Sequence, residues 1–289
     1  MKQVFSKYPD LSRLLLGALL IGCALIASGL INFPGLQTYF PFVGTILLLL
    51  VTWIMYRTEN KNLSALGLDF RKRHLIFLPI GLGLGVLTYV LGFYLRTFIT
   101  REQWHVNPVL NVESMLHQLY WVLPTVIVQQ LISRGYCFKK LMEMTNQSLA
   151  IIVCGVLFIA LHDFWKGSVM QGVVFATLLF LGHLMFCLAL IRSGTLYFAI
   201  GLHWGNNVAN QAFFTERRRA SSIIYSTSEQ PHNLSSSQFL AVFILANAGF
   251  ILLTFLLWRW RGLGMLVTPK TDATASSLLT QPSEVFDGK

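Results

Sequence analysis

The sequence predicts an all-α fold, a polytopic membrane protein of about eight transmembrane helices. Three observations carry the prediction. Of 289 residues, 54% are hydrophobic and only 12% are charged, against about 25% charged in soluble chains, so the polar coat is half what water demands. Apolar runs of about 20 residues recur along the chain, each the length a helix needs to cross a hydrocarbon core of about 30 Å. Lys and Arg outnumber Asp and Glu by 22 to 12, and the excess falls in alternate connecting segments, as cytoplasmic membrane loops require. A soluble enzyme, a disordered chain and a collagen-like fibre are excluded. No aromatic-basic module accompanies the net charge of +10, so it reads as topology and implies no nucleic-acid partner.

Residues 1–13, with Lys2, Lys7 and Arg13, form a cytoplasmic N-terminal tail, and residues 14–262 form the membrane domain. The run 14–31 is too long for a secretory signal and is followed by further spans, so it reads as a retained helix. Runs 39–56, 75–95, 116–132, 169–191 and 239–258 are the other clear spans, and two shorter or more polar ones, 149–161 and 196–214, complete the set. Residues 263–289 are rich in Ser and Thr without apolar period and read as a flexible cytoplasmic tail. Charge placement therefore puts both termini in the cytoplasm; the expected location is the plasma membrane, with membrane lipids as partners. The triple arginine Arg217, Arg218, Arg219 falls on the opposite side against the rule. It pairs with something, or its loop dips back, or the span count is off by one. Arg71, Lys72 and Arg73 read as a stop signal, with anionic head groups as the second reading. Cys23, Cys154 and Cys187 lie in apolar runs, where thiols behave as small hydrophobes.

Polar side chains in lipid are costly and mark site candidates. Three groups stand out: Gln129, Gln130 and Arg134 in VQQLISRGY; Phe158 and His162 in FIALHDF; and His203, Asn206 and Asn207 in AIGLHWGNN. Gln130 and Arg134, Phe158 and His162, and His203 and Asn207 are each four apart, so each pair shares a helix face. Converging on one pocket, they could present ring nitrogens and amides to one ligand. The plainer reading makes each group interhelical glue, worth about 0.6 kcal/mol on average. Glue or edge solvation is also the reading for His183, His117, Gln118 and Asn247. A rise of about 1.5 Å per residue puts Gln130 and His203 about 9 and 10 Å from the cytoplasmic face, but His162 about 20 Å deep. No H-E-x-x-H or G-x-S-x-G motif is present.

These three stretches, in this order on separate helices, resemble the CAAX protease and bacteriocin-processing enzyme family of intramembrane proteases. QQLISRG stands where the family shows E-E-x-x-x-R-G, FIALH where it shows F-x-x-x-H, and HWGNN where it shows H-x-x-x-N. NLSALGLDF and GTLYFAIGLHWGNN resemble the surrounding words, and the likeness covers about residues 63–210. The resemblance implies the family's intramembrane protease fold, peptide-bond hydrolysis within the membrane, and a membrane-embedded or lipidated peptide or protein as substrate. By carry-over, Arg134 orients the first motif helix, His162 holds the water or a metal, and His203 with Asn207 binds the oxyanion. Some descriptions of the family make these residues ligands of zinc, which here would fall to His162 and His203. Gln129 and Gln130 occupy the places of the two glutamates. An amide cannot serve as general base, a step worth about 10²- to 10⁴-fold, so activity is expected to be lost or weakened. The alternative is a pseudoprotease or scaffold that binds a peptide or lipid in the same cavity. Asp163 reads as the end of its helix. Arg134, deprived of acidic partners, is expected to reach the cytoplasmic interface.

Overall fold

The computed structural model describes residues 8–31, 33–162, 169–227 and 235–263. The first seven residues, the C-terminal tail from residue 264 and Asp163 lie outside the described residues.

Every apolar run forms helix. The helices are α1 (Pro9–Ile31), α2 (Pro34–Tyr39), α3 (Val43–Arg57), α4 (Lys72–Leu75), α5 (Phe77–Thr100), α6 (Val112–Arg134), α7 (Tyr136–Met144), α8 (Gln147–Ala160), α9 (Val169–Ser193), α10 (Leu196–Val208), α11 (Ser236–Ala246) and α12 (Ala248–Arg259). Side chains cap several of them. Asn111 accepts from the Ser114 amide to start α6, Asn146 from the Leu149 amide to start α8, and Thr195 from the Tyr197 amide to start α10.

Among the described residues, three stretches are long and apolar enough to cross a membrane: α1, the α4–α5 unit Lys72–Thr100, and α9. The pair α11–α12, bent by 52°, makes a fourth if taken as one span. The protein is thus a mostly helical integral membrane protein, with three or four crossings supported by length and composition. Helices α3 and α8, at 15 and 14 residues, reach only about 20 Å along their axes.

The expectation of a purely helical chain needs one correction. A three-stranded sheet, ordered β1 (Gln103–Val106), β3 (Ile224–Thr227), β2 (Phe214–Thr215), joins the loop after α5 to the loop after α10. Strands β1 and β3 pair antiparallel, and β2 and β3 parallel. The strands are too short to show alternation, so sequence periodicity could not reveal them. The triple arginine lies in this cap, where Arg218 Nε donates to Asn107 Oδ1 at 3.2 Å and Arg219 Nη1 to the Gln211 carbonyl at 2.7 Å. Of the three explanations for those arginines, pairing is observed for Arg218 and Arg219, and the partners are neutral oxygens.

The tightest helix pair is α5 with α10, and its cause is two interlocked Gly-x-x-x-Gly faces. A Cβ on Gly85 would lie 2.2 Å from the Leu202 carbonyl oxygen, and one on Gly205 would lie 2.1 Å from that of Leu82. Gly81 and Gly201 meet in the same seam. Small residues let backbones touch where lipid gives no hydrophobic drive to associate. The two stretches that resemble the family's flanking words also meet: Thr195 Oγ1 donates to the Gly67 carbonyl at 2.9 Å, and a Cβ on Gly67 would lie 2.3 Å from the Gly194 carbonyl oxygen.

At the opposite end from the sheet, α1, α3 and α7 share an ion cluster. Lys140 Nζ lies 2.8 Å from Glu59 Oε1 and 3.0 Å from Glu143 Oε2, and Lys61 Nζ lies 3.0 Å from Glu59 Oε2. Burial pushes the Glu59 carboxyl up, but hydrogen bonds from Lys140, Tyr136 and Lys61 outweigh it and hold it at about 2.

Two outcomes follow. Gly205→Val drives a side chain into the α5 backbone and should lower stability by about 3 kcal/mol or more, whereas Gly83→Ala on α5, with open space around it, should leave thermal unfolding in detergent unchanged. Glu59 has its folded pKa depressed, so its stabilisation is present above the unfolded value of about 4.5 and is lost as pH falls toward 2. An acid titration of unfolding should show a loss of roughly 3 kcal/mol across that window, and Glu59→Gln should flatten it.

Candidate active site

Four helices converge on one fully buried guanidinium. Arg134, the last residue of α6, has no exposed surface, which corrects the expectation that it escapes to the interface. Its Nη1 donates to Gln130 Oε1 at 3.1 Å, and its Nη2 donates to His183 Nδ1 at 2.8 Å and to the His183 carbonyl at 3.4 Å. The guanidinium also sits 5.3 Å from the Phe158 ring centroid on α8 and 5.1 Å from that of Phe186 on α9. Three hydrogen-bond acceptors and two π faces replace the missing carboxylates. That combination lets the charge stay inside.

The same contacts place both site histidines. His162, just past α8, packs on Phe158 with ring centroids 4.4 Å apart, and His203 on α10 stacks on Phe186 at 4.8 Å. Arg134 therefore braces each histidine through one phenylalanine. Gln130 Nε2 lies 3.0 Å from His203 Nδ1, which agrees with the equal depth expected for the two residues. His162 and His203 line one cavity of about 490 Å³ together with Gln129, Asn206 and Asn207. The greater depth expected of His162 therefore does not separate them. The reason lies in the chain: α8 is short and stops at Ala160, so His162 projects from a helix end within the protein.

The hydrogen bonds fix how each histidine presents itself. Arg134 only donates, so the Gln130 oxygen must face it and the Gln130 amide NH₂ must face His203. His203 Nδ1 is then an acceptor, and in the neutral ring the proton resides on Nε2. His162 is the reverse: its Nδ1 lies 2.7 Å from the Phe158 carbonyl, which only accepts, so Nδ1 carries the proton and Nε2 keeps its lone pair. The two histidines thus contribute one basic nitrogen and one N–H donor. Gln129 faces the cavity while Gln130 turns inward, so the two amides have separate surroundings.

A model of the family described as type II CAAX prenyl endopeptidase Rce1-like matches residues 111–209. Those residues, about a third of the chain, are similar to that family. The matched stretch begins at the Asn111 cap of α6 and ends one residue after α10, so it contains all six predicted site residues, Gln129, Gln130, Arg134, His162, His203 and Asn207. No curated protein and no solved structure matches the chain.

Zinc does not fit the donor set of this cavity. Among the described residues no three His, Cys, Asp or Glu side chains come together. Ligation through His203 Nε2 would move its proton onto Nδ1, against the Gln130 NH₂ that already donates there. One free imidazole nitrogen with amides around it is a weak zinc site.

Sequence reasoning missed two members of the site. His183 read as glue, and it does bridge helices, but its specific duty is to accept from Arg134 while its Nε2 donates to the Ile151 carbonyl on α8 at 3.0 Å. Phe186 gave no signal, because an aromatic in an apolar helix is indistinguishable from core. His183→Leu strands the Arg134 charge and should cost about 3 kcal/mol or more, whereas the double change Arg134→Met, His183→Leu should recover much of it. A double-mutant cycle of unfolding in detergent reads the coupling.

Proposed function

We propose that this chain is a CAAX-protease-like intramembrane protein whose peptide-bond hydrolysis is lost or severely weakened. The observation that carries the reading is the chain of donations from Arg134 to Gln130 to His203. With glutamate at 130, the carboxylate would neutralise Arg134 and accept from His203 Nδ1–H, leaving Nε2 free as a base. With glutamine, the polarity reverses, and His203 can only donate into the cavity. That suits it, with Asn207, to hold a carbonyl oxygen, as oxyanion donors do. His162 Nε2 is the remaining acceptor for a water proton, without the carboxylate that would raise its driving force.

The substrate class suggested by the family description is a prenylated or membrane-embedded peptide, and the aromatic walls Phe158, Phe175, Phe186 and Phe250 of the cavity suit an apolar ligand. A second reading, a pseudoprotease that holds such a ligand without cutting it, draws on the same intact cavity. We further propose eight crossings with both termini in the cytoplasm of the plasma membrane, supported by the eight helical apolar regions and the Lys and Arg bias.

Purified Gln129→Glu, Gln130→Glu protein should gain cleavage of a fluorogenic membrane peptide by at least 100-fold over the parent, and adding His203→Ala should abolish the gain. Cleavage by the parent chain that His203→Ala removes would overturn the loss of activity. Binding of the peptide by both parent and double variant, with cleavage by neither, would favour the scaffold reading.

A further inference from the structure

Away from the candidate active site, the lipid-facing surface carries a second groove. It has a volume of about 470 Å³ and runs between α8, α9 and α12, with Leu181, Leu184 and Leu188 on one wall and Ile251 and Phe255 on the other. Leu181, Leu184 and Leu188 recur at helical spacing along one face of α9, and the next position on that face, four residues on, is Arg192. The groove therefore leads from an apolar floor to a cation at the helix end.

That cation is held in place from the far wall. Arg192 Nη2 donates to the carbonyl of Trp258, itself a groove residue, at 3.1 Å. The Leu263 amide bonds the Arg192 carbonyl at 2.8 Å, and a Cβ on Gly262 would meet that same carbonyl oxygen at 2.5 Å. This folds the chain that carries Arg259 and Arg261 around Arg192. The Arg192 Nε–H is buried and has no hydrogen-bond partner among the described residues. None of Arg192, Arg259 and Arg261 takes part in an ion pair among the described residues. Gln147 and Ser148, at the start of α8, add polar groups to the lining.

We propose that this groove binds an anionic glycerophospholipid, with an acyl chain along Leu181, Leu184 and Leu188 and the head-group phosphate at Arg192 and Arg259. Basic pockets between helices at a membrane face recognise anionic head groups by this chemistry, and a guanidinium with a spare N–H offers phosphate directed donors that a lone ammonium does not. Charge complementarity selects the occupant: an apolar channel alone would accept any lipid tail or a second copy of the chain, but Arg192 and, one turn after Phe255 on α12, Arg259, neither in an ion pair among the described residues, favour phosphate with net negative charge. The site is independent of whether the chain cleaves peptides.

The test is native mass spectrometry of the full chain in detergent, titrated with dioleoyl phosphatidylglycerol or dioleoyl phosphatidylcholine. A retained phosphatidylglycerol adduct at least tenfold tighter than phosphatidylcholine is expected. Arg192→Gln, Arg259→Gln should remove that preference. Leu181→Trp, which keeps every charge but fills the groove, should weaken the adduct by a similar factor. Lys72→Gln, Arg73→Gln should leave it unchanged. Equal affinity for the two lipids, an adduct that survives Arg192→Gln, Arg259→Gln, or a lipid-independent dimer broken by Leu181→Trp would each overturn the proposal. Loss of the adduct in the Lys72, Arg73 variant alone would move the site to that basic segment and overturn it equally.

Discussion

A single buried charge organises the centre of this protein. Arg134 reaches α8 through Phe158, α9 through His183 and Phe186, and α10 through Gln130 and His203. An uncompensated guanidinium in low dielectric is among the most expensive groups a fold can hold. Its neighbours are therefore constrained together: the Gln130 oxygen and His183 Nδ1 must face it, and two aromatic rings must cover it. Each constraint then passes to the next group outward. His203 receives its orientation from Gln130 and Phe186, and His162 from Phe158.

The seam between α5 and α10 supplies the other fixed dimension. Because Gly81 and Gly85 lie against Gly201 and Gly205 at backbone contact, α10 cannot slide or rotate without a clash. His203 lies within that glycine frame, two residues after Gly201 and two before Gly205. Close packing of helices in lipid rests on such small-residue contacts and on hydrogen bonds between helices, and here the two devices meet on one helix. The depth of His203 is set by the glycines, and the direction of its ring by the arginine network.

Much of this was legible in the sequence, and the misses have physical causes. Helix locations followed from apolar length, and depth arithmetic put Gln130 and His203 at one level, where the structure has them in contact. The location of His162 did not, because the arithmetic counted its depth along one unbroken helix from Leu149, whereas α8 stops at Ala160 and His162 lies beyond its end. The sheet was invisible because two-residue and four-residue strands carry no period to detect. Arg134 was expected at the interface because counting only acids as partners overlooks neutral imidazole and aromatic faces. The Gly-x-x-x-Gly pairs were open to inspection in LPIGLGLG and AIGLHWGN, and their regular spacing is the signal that could have found the α5–α10 seam.

The pairing of a buried arginine with the amide of Gln130 also bears on how such a site could lose its chemistry without losing its shape. Gln130 has the length of glutamate and keeps an oxygen for Arg134, so the geometry around the guanidinium does not require an acid. What changes is the other atom: an NH₂ replaces a carboxylate oxygen, and the contact to His203 Nδ1 turns from accepting to donating. The helices, the aromatic brackets and the cavity are indifferent to that reversal, since none of them senses the imidazole proton. A water in the cavity does sense it, because it meets an N–H at His203 where a lone pair would otherwise be. Under the proposed reading, folding and hydrolysis therefore depend on different atoms of the same side chain, and substitution at position 130 separates them.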